Sequence, residues 1–327
     1  MLGSTAPDDI LPIVASTISA LPVPALQHLI VHVGNCGVPP AYFEDSLSSV
    51  ILRCGGSFTT FSSTIPLSDA AVNHLIHLPY LRTWHTEYPP PSYSDSSLPL
   101  VFPPLKELKL GEGASSGWVS LFKRLEGSVS STQGTMPLSR AKESLKFLNF
   151  NDFSDLIIDV PFASVIREFR NLVRLKMGVH CHNKGDNGRC AFKLNDDDVA
   201  ELAVALPRLK YLLLGHPCDN NACATTVACL LQISARCPWL QSLEIHFNTT
   251  NIVDDLTSVT ADPRFQELRS RPKCVLTCLS VYRMPLALNE SDLEIVADGM
   301  TDIFPHLERC EGVGWIWDGL NRKIAQL

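Results

Sequence analysis

Apolar residues recur along this chain in one short phrase, Leu-x-x-Leu-x-Leu, in which apolar and polar positions alternate as they do in a strand with one buried face. Copies begin at Leu26, Leu81, Leu105, Leu145, Leu172, Leu209, Leu240 and Leu276, and a degenerate copy begins at Leu307. Each copy predicts a short strand. The widest interval, 55 positions between Leu26 and Leu81, contains Phe58-x-x-Phe61, which predicts a weaker unit of the same kind. Between the phrases the apolar period lengthens to that of a helix. Asn195 is placed to cap one, with Asp196, Asp197 and Asp198 in its first turn and Val199, Leu202, Ala203 and Leu206 on one face. Ser68 opens a helix with Val72, Leu75 and Ile76, and Ser291 one with Leu293, Val296, Met300 and Ile303. Residues 225–235 and 118–125 predict two more.

Recurrence matters because a unit this small buries its apolar face only against the next unit. The clearest copy, Cys237-Pro-Trp-Leu240-Gln-Ser-Leu243-Glu-Ile245-His-Phe-Asn248, fits the leucine-rich-repeat consensus through its terminal Asn. The expected fold class is therefore α/β, a leucine-rich-repeat solenoid with short parallel strands on a concave face and helices on a convex one. Residues 1–327 are expected to form one irregular solenoid of about nine to ten units. Successive phrases lie 24 to 55 positions apart, mostly beyond the common repeat length, so the excess goes into long helices or loops. Pro/Ser-rich or Gly/Asn-rich stretches at 89–104, 128–141 and 180–194 predict loop insertions. Residues 311–327, with Trp315, Trp317, Leu320, Ile324 and Leu327, predict a C-terminal cap over the last repeat.

Composition narrows the choice of partners. The chain is 45% hydrophobic, enough for a large core, and its net charge of −7 comes without the basic stripe that a nucleic-acid backbone requires. No apolar run reaches the length of a membrane span. The apolar stretch after Ile10 follows Asp8 and Asp9 rather than the cationic residues of a signal peptide. Eleven cysteines, an odd number without framework spacing, predict reduced thiols in the cytoplasm or nucleus.

Two motifs invite a chemical reading. Gly111-Glu-Gly-Ala-Ser115-Ser-Gly117 contains the Gly-x-Ser-x-Gly pattern of a nucleophile elbow, which would make Ser115 the nucleophile of a hydrolase. The preceding Leu105-Lys-Glu-Leu-Lys-Leu110 is half polar, however, whereas the strand before such an elbow is buried on both faces. A glycine-rich turn is the expectation, and no catalytic residue is assigned. His180, Cys181, His182 and Cys190 carry zinc-ligand chemistry, as do Cys218, Cys223, Cys229 and Cys237, but neither set has the spacing of a zinc module. No metal and no cofactor is expected.

The segments Asn195-Asp-Asp-Asp-Val-Ala-Glu-Leu-Ala-Val-Ala-Leu-Pro-Arg-Leu-Lys-Tyr-Leu-Leu-Leu214 and Cys237-Pro-Trp-Leu-Gln-Ser-Leu243 resemble the long, cysteine-containing repeats of F-box/leucine-rich-repeat proteins. Residues 223–269 resemble the fungal, mushroom-type members in particular. The resemblance covers nearly the whole chain at the level of the repeat and is most specific from 194 to 310. It implies a substrate-receptor role in a cullin-RING ubiquitin ligase, in which an N-terminal F-box binds the adaptor Skp1 and the repeats select the substrate. Leu11-Pro12 and Leu21-Pro22 are the only echoes of an F-box here, and Leu26 already opens a repeat. Skp1 is therefore expected as a partner only through an F-box upstream of Met1, and the alternative is a scaffold or decoy unconnected to ubiquitin.

Strand geometry predicts which residues would meet a protein partner. The leucines of each phrase point into the core, so the third and fifth positions, with the seventh just beyond, turn to the other face. They supply His85, Lys109, Asn149, Arg174, Lys176, Tyr211, Glu244, His246 and Tyr282 as the candidate surface. Lys109, Arg174 and Lys176 make its middle basic, and Tyr211, His246 and Tyr282 offer an aromatic edge.

Overall fold

The computed structural model describes residues 16–17, 20, 23, 25–32, 41–87, 103–111, 139–153, 157–179, 191–215, 223–271, 274–281, 288–312 and 316–326. Strands and helices alternate among them. The first half runs β1 (His28–Val31), α1 (Ala41–Arg53), β2 (Thr60–Ser63), α2 (Asp69–His77), β3 (Thr83–Thr86), β4 (Glu107–Leu110), α3 (Ser139–Ser144), β5 (Phe147–Phe153) and α4 (Val160–Arg167). There follow β6 (Arg174–Val179), α5 (Asp196–Ala205), β7 (Tyr211–Leu214), α6 (Ala228–Arg236), β8 (Ser242–Ile245), α7 (Ile252–Ala261) and α8 (Pro263–Ser270). The chain closes with β9 (Cys278–Val281), α9 (Glu290–Ile303), β10 (Arg309–Glu311) and α10 (Ile316–Ile324). Strand order in the sheet is the order of the chain, and the described strand pairs are parallel. This is the α/β architecture expected of a leucine-rich-repeat solenoid. Two compact units divide the chain, Met1–Phe147 and Leu148–Leu327.

In the first unit, register aligns Leu29, Phe61, Trp84 and Leu108 into one buried row across β1 to β4. Phe61 thus places a strand inside the wide interval, where Phe58-x-x-Phe61 predicts one. The next row, Val31, Ser63, Thr86 and Leu110, carries two buried hydroxyls. Ser63 is satisfied locally: its Oγ donates to the Ile65 carbonyl at 3.0 Å and accepts from the Ile65 amide at 2.8 Å. Ser68 caps α2 as expected, accepting from the Ala71 amide, while its own amide donates to Ser48 of α1. One residue therefore both starts a helix and ties it to its predecessor.

In the second unit the buried rows are Leu175, Leu212, Leu243, Leu279 and Cys310, and Met177, Leu214, Ile245 and Val281. Asn195 and Asp198 form a reciprocal capping box at the start of α5, an arrangement whose loss typically costs about 1 kcal/mol. Asp196 does more than complement the helix dipole. Its carboxylate accepts from the amide and hydroxyl of Thr226 at 2.7 and 2.6 Å, fixing the entry to α6. That helix begins at Ala228 rather than Thr225, because Thr225 is buried and its hydroxyl donates to the His246 carbonyl. Likewise the cap of α9 lies two residues before the expected Ser291. Asn289 is the cap and shares a capping box with Asp292, while Ser291 Oγ donates to Asn289 Oδ1.

The last strand ends on a side chain. Asn321 of α10 accepts from the Cys310 amide at 2.7 Å and donates to the Cys310 carbonyl at 2.9 Å, as a further strand would. Trp317 and Ile324 of the same helix are buried, so α10 covers β10 with both polar and apolar groups. Trp315 and Leu327 lie outside the described residues.

Most of the expected insertions at 89–104, 128–141 and 180–194 also lies outside the described residues. Their described ends are structured. Helix α3 starts at Ser139, and Phe192 and Leu194 are buried, with Phe192 bridging to Ile158 in parallel. Among the described residues no helix is long and apolar enough to cross a membrane.

Candidate recognition surface

Alternation along each strand leaves one face of the sheet available. In β3, β4, β8 and β9 the third and fifth positions of the phrase are half-buried or exposed and the residues after them buried. This follows from the period of two in a pleated strand. In the first unit register sets Ile30, Ser62, His85 and Lys109 in one row and His28, Thr60, Thr83 and Glu107 in the next. Ile30 is 63% exposed. His85 Nε2 lies 2.9 Å from Glu107 Oε1, a diagonal pair across neighbouring strands.

In the second unit the third-position row reads Arg174, Tyr211, Ser242, Cys278 and Arg309. The fifth-position row reads Lys176, Leu213, Glu244, Ser280 and Glu311. Tyr211 sits at the centre of the local geometry. Its hydroxyl donates to Glu244 Oε2 at 2.8 Å, while Arg174 Cζ and Lys176 Nζ stand 4.7 and 5.0 Å from its ring centroid. Burial pushes the Tyr211 hydroxyl well above the usual tyrosine range, and the bond to Glu244 adds to that shift. The group is therefore a fixed donor at physiological pH. Further along, Ser280 donates to Glu311, and Arg309 pairs with Glu311 at 2.8 Å and reaches Cys278 Sγ.

The expected surface is thus gathered in part. Arg174, Lys176, Tyr211 and Glu244 come together in the second unit, and His85 and Lys109 are register partners in the first. Asn149 is half-buried, and its Oδ1 has no hydrogen-bond partner among the described residues. Tyr282 lies outside them.

His246 departs from the expectation. It is 4% exposed, so the seventh position belongs to the interior in this repeat. Its amide donates to the Leu214 carbonyl, and its carbonyl accepts from Thr225. Its Cβ occupies space that a side chain on Gly215 would need, since a Cβ there would come within 2.9 Å. Gly215 has φ +85, which favours glycine for a second reason. Leu213 is also buried despite its outward position, lying in register between the long side chains of Lys176 and Glu244. Sequence reasoning left out Arg309 and Glu311, although the degenerate phrase at Leu307 gives them the third and fifth positions.

Ser115 and the His180–Cys190 cluster lie outside the described residues. Gly111, which opens the Ser115 segment, is explained by contact. A Cβ there would meet Glu87 Cα at 2.8 Å, and its amide donates to Thr86. Of the other cysteine set, Cys218 is not described, and Cys223, Cys229 and Cys237 are buried. Burial raises the Cys237 thiol to about 12 and the Cys229 thiol well above its ordinary value. Such groups fill a core rather than bind metal as thiolates. No group of three or more possible metal ligands occurs among the described residues. Compared with known proteins, the chain matches no family model and no curated protein.

Proposed function

We propose that this chain is a non-catalytic protein-recognition module, the substrate-receptor part of an F-box-type ubiquitin ligase, working in the cytoplasm or nucleus. The observation that carries recognition is the fifth-position row of the second unit. Five parallel strands hold Lys176, Leu213, Glu244, Ser280 and Glu311 in register, running from basic to acidic over roughly 19 Å at the usual strand spacing. The alternate residues of the same strands are core, so these side chains project from a rigid base. That suits an extended protein segment better than a small molecule, which favours an enclosed apolar pocket. The ligase half rests on the resemblance carried by residues 194–310, and Skp1 is the adaptor that this resemblance implies.

A photo-crosslinking residue at Ser242, within the outward rows, tests the first half against one at Val204, an exposed position on α5. In cells, Ser242 is expected to capture a discrete protein and Val204 is not, while Skp1 co-precipitates with the full-length native protein. Equal capture at both positions would overturn recognition by this face. Capture without Skp1 would instead support a recognition scaffold unconnected to ubiquitin.

A further inference from the structure

We propose that the groove between α7 and α9 is a second docking site, which takes a Lys or Arg side chain from a basic segment of a partner protein. It lies among the helices rather than at the outward strand positions, so it stands apart from the recognition reading above. The groove measures about 580 Å³. Its floor is apolar. Leu256 of α7 lies against Gly299 of α9, where a Cβ would come within 3.0 Å of the leucine, and Ile295, 40% exposed, lies one turn earlier. Asp298 and Asp302 are exposed on its wall, and no Lys or Arg lines it.

The walls select the occupant's chemistry. Three threonines line the groove, and each donates its hydroxyl proton to a carbonyl of its own helix: Thr257 to Val253 at 2.8 Å, Thr260 to Thr257 at 3.0 Å and Thr301 to Ala297 at 2.9 Å. The side chains of the groove therefore present hydrogen-bond acceptors and no spare donor. An ammonium or guanidinium, which carries donors alone, is the matching group. Helix polarity acts in the same sense. Asp302 sits in the last turn of α9, where the carbonyl end of the dipole is already partly negative and a cation is the favoured neighbour. The surroundings share this sign: α5, α7 and α9 hold no Lys or Arg, and a second groove, between α7 and the pair α5 and α6, has Asp196, Asp197 and Asp262 on its walls. Burial first, and then the charges of Asp254 and Asp196, raise the Asp255 carboxyl above its ordinary value. Such a field repels nucleic acid and anionic lipid and attracts a basic segment. The apolar floor decides between a bare cation and a side chain. The hydrocarbon stem of Lys or Arg covers Leu256 and Ile295 while its charged head reaches the carboxylates.

An array of peptides with randomised flanks and a fixed central residue tests this on the full chain. The central residue is lysine, arginine, norleucine, which keeps the stem without the charge, or diaminopropionic acid, which keeps the charge on a short stem. The parent protein is expected to retain lysine and arginine peptides about fivefold better than either of the others. An Asp298→Asn/Asp302→Asn variant is expected to lose that preference while keeping its melting temperature. A Glu308→Gln/Asp318→Asn variant, with the same change of net charge at exposed carboxylates outside the groove, is expected to keep it. At matched ionic strength, n-butylammonium should displace the lysine peptides better than ammonium does, which tests the groove without any substitution. Equal retention of lysine and norleucine peptides would overturn the site, as would diaminopropionic acid retained as well as lysine. A preference that survives in Asp298→Asn/Asp302→Asn, or is lost equally in the control variant, or equal displacement by the two ammonium ions, would overturn it too. Capture from Ser242 is read separately, so failure of the groove leaves the strand-face reading standing.

Discussion

Leu243 and Glu244 are adjacent in β8, yet one is fully buried in a row of leucines and the other stands half-buried on the opposite face, bonded to a tyrosine. The same division runs through β6 to β10. Inward positions repeat one chemistry from strand to strand, Leu175, Leu212, Leu243 and Leu279, because each must fill the same space between successive units. Outward positions change at every strand, from Arg174 to Tyr211 to Ser242 to Cys278 to Arg309. Packing constrains the first row and leaves the second free, and that freedom is where a recognition surface can be written.

The division can be broken most severely at high pH. Burial holds the inward thiols of Cys237 and Cys310 neutral and raises both to about 12, above the ordinary 9.0. Between those values the unfolded chain releases these protons and the folded chain retains them, so stability is fully present below pH 9 and is lost as pH rises towards 12. Each thiol contributes a slope of at most ~1.4 kcal/mol per pH unit. Melting temperatures are expected to fall steeply above pH 9, and less steeply in a Cys237→Ala/Cys310→Ala variant compared at its own neutral-pH baseline.

Truncating an inward leucine is next in size. Leu243→Ala is expected to cost about 2–5 kcal/mol in urea unfolding, because the repeats on either side cannot collapse into the space. Ser242→Ala, one residue earlier and outward, is expected to change stability by no more than about 0.5 kcal/mol. A smaller loss should follow at the end of the row. Asn321→Ala leaves the amide and carbonyl of Cys310 without the partner that stands in for a strand, at a cost of about 1–3 kcal/mol. Hydrogen exchange at the Cys310 amide should accelerate before that of the Leu243 amide. Asn195→Ala is smaller still, about 1 kcal/mol, read as a lowered urea midpoint with the m-value unchanged.

Period-two alternation made the strands legible, including the weak one at Phe61, and capping chemistry at Ser68 and Asn195 announced two helices at their observed starts. Those signals are local. What escaped depends on residues brought together from different repeats. His246 is buried by its contacts with Gly215 and Thr225, and α6 starts late because Thr225 is committed to His246. Asn321 works as an edge partner only because α10 lies across β10. The candidate surface was legible as a set of positions, but the convergence of Arg174 and Lys176 on Tyr211 was not, since strand period gives the direction of a side chain and not where its far end rests.

The most direct test of the division is a scan of every residue in β6 to β10 that reads protein abundance and capture of the Ser242-crosslinked partner in parallel. Two out-of-phase patterns of period two are expected: abundance falls at inward positions such as Leu175, Leu212, Leu243 and Leu279, while capture falls at normal abundance at Arg174, Lys176, Tyr211 and Glu244. Capture that tracks abundance at every position, with substitutions at those four outward residues tolerated in both readouts, would contradict the account.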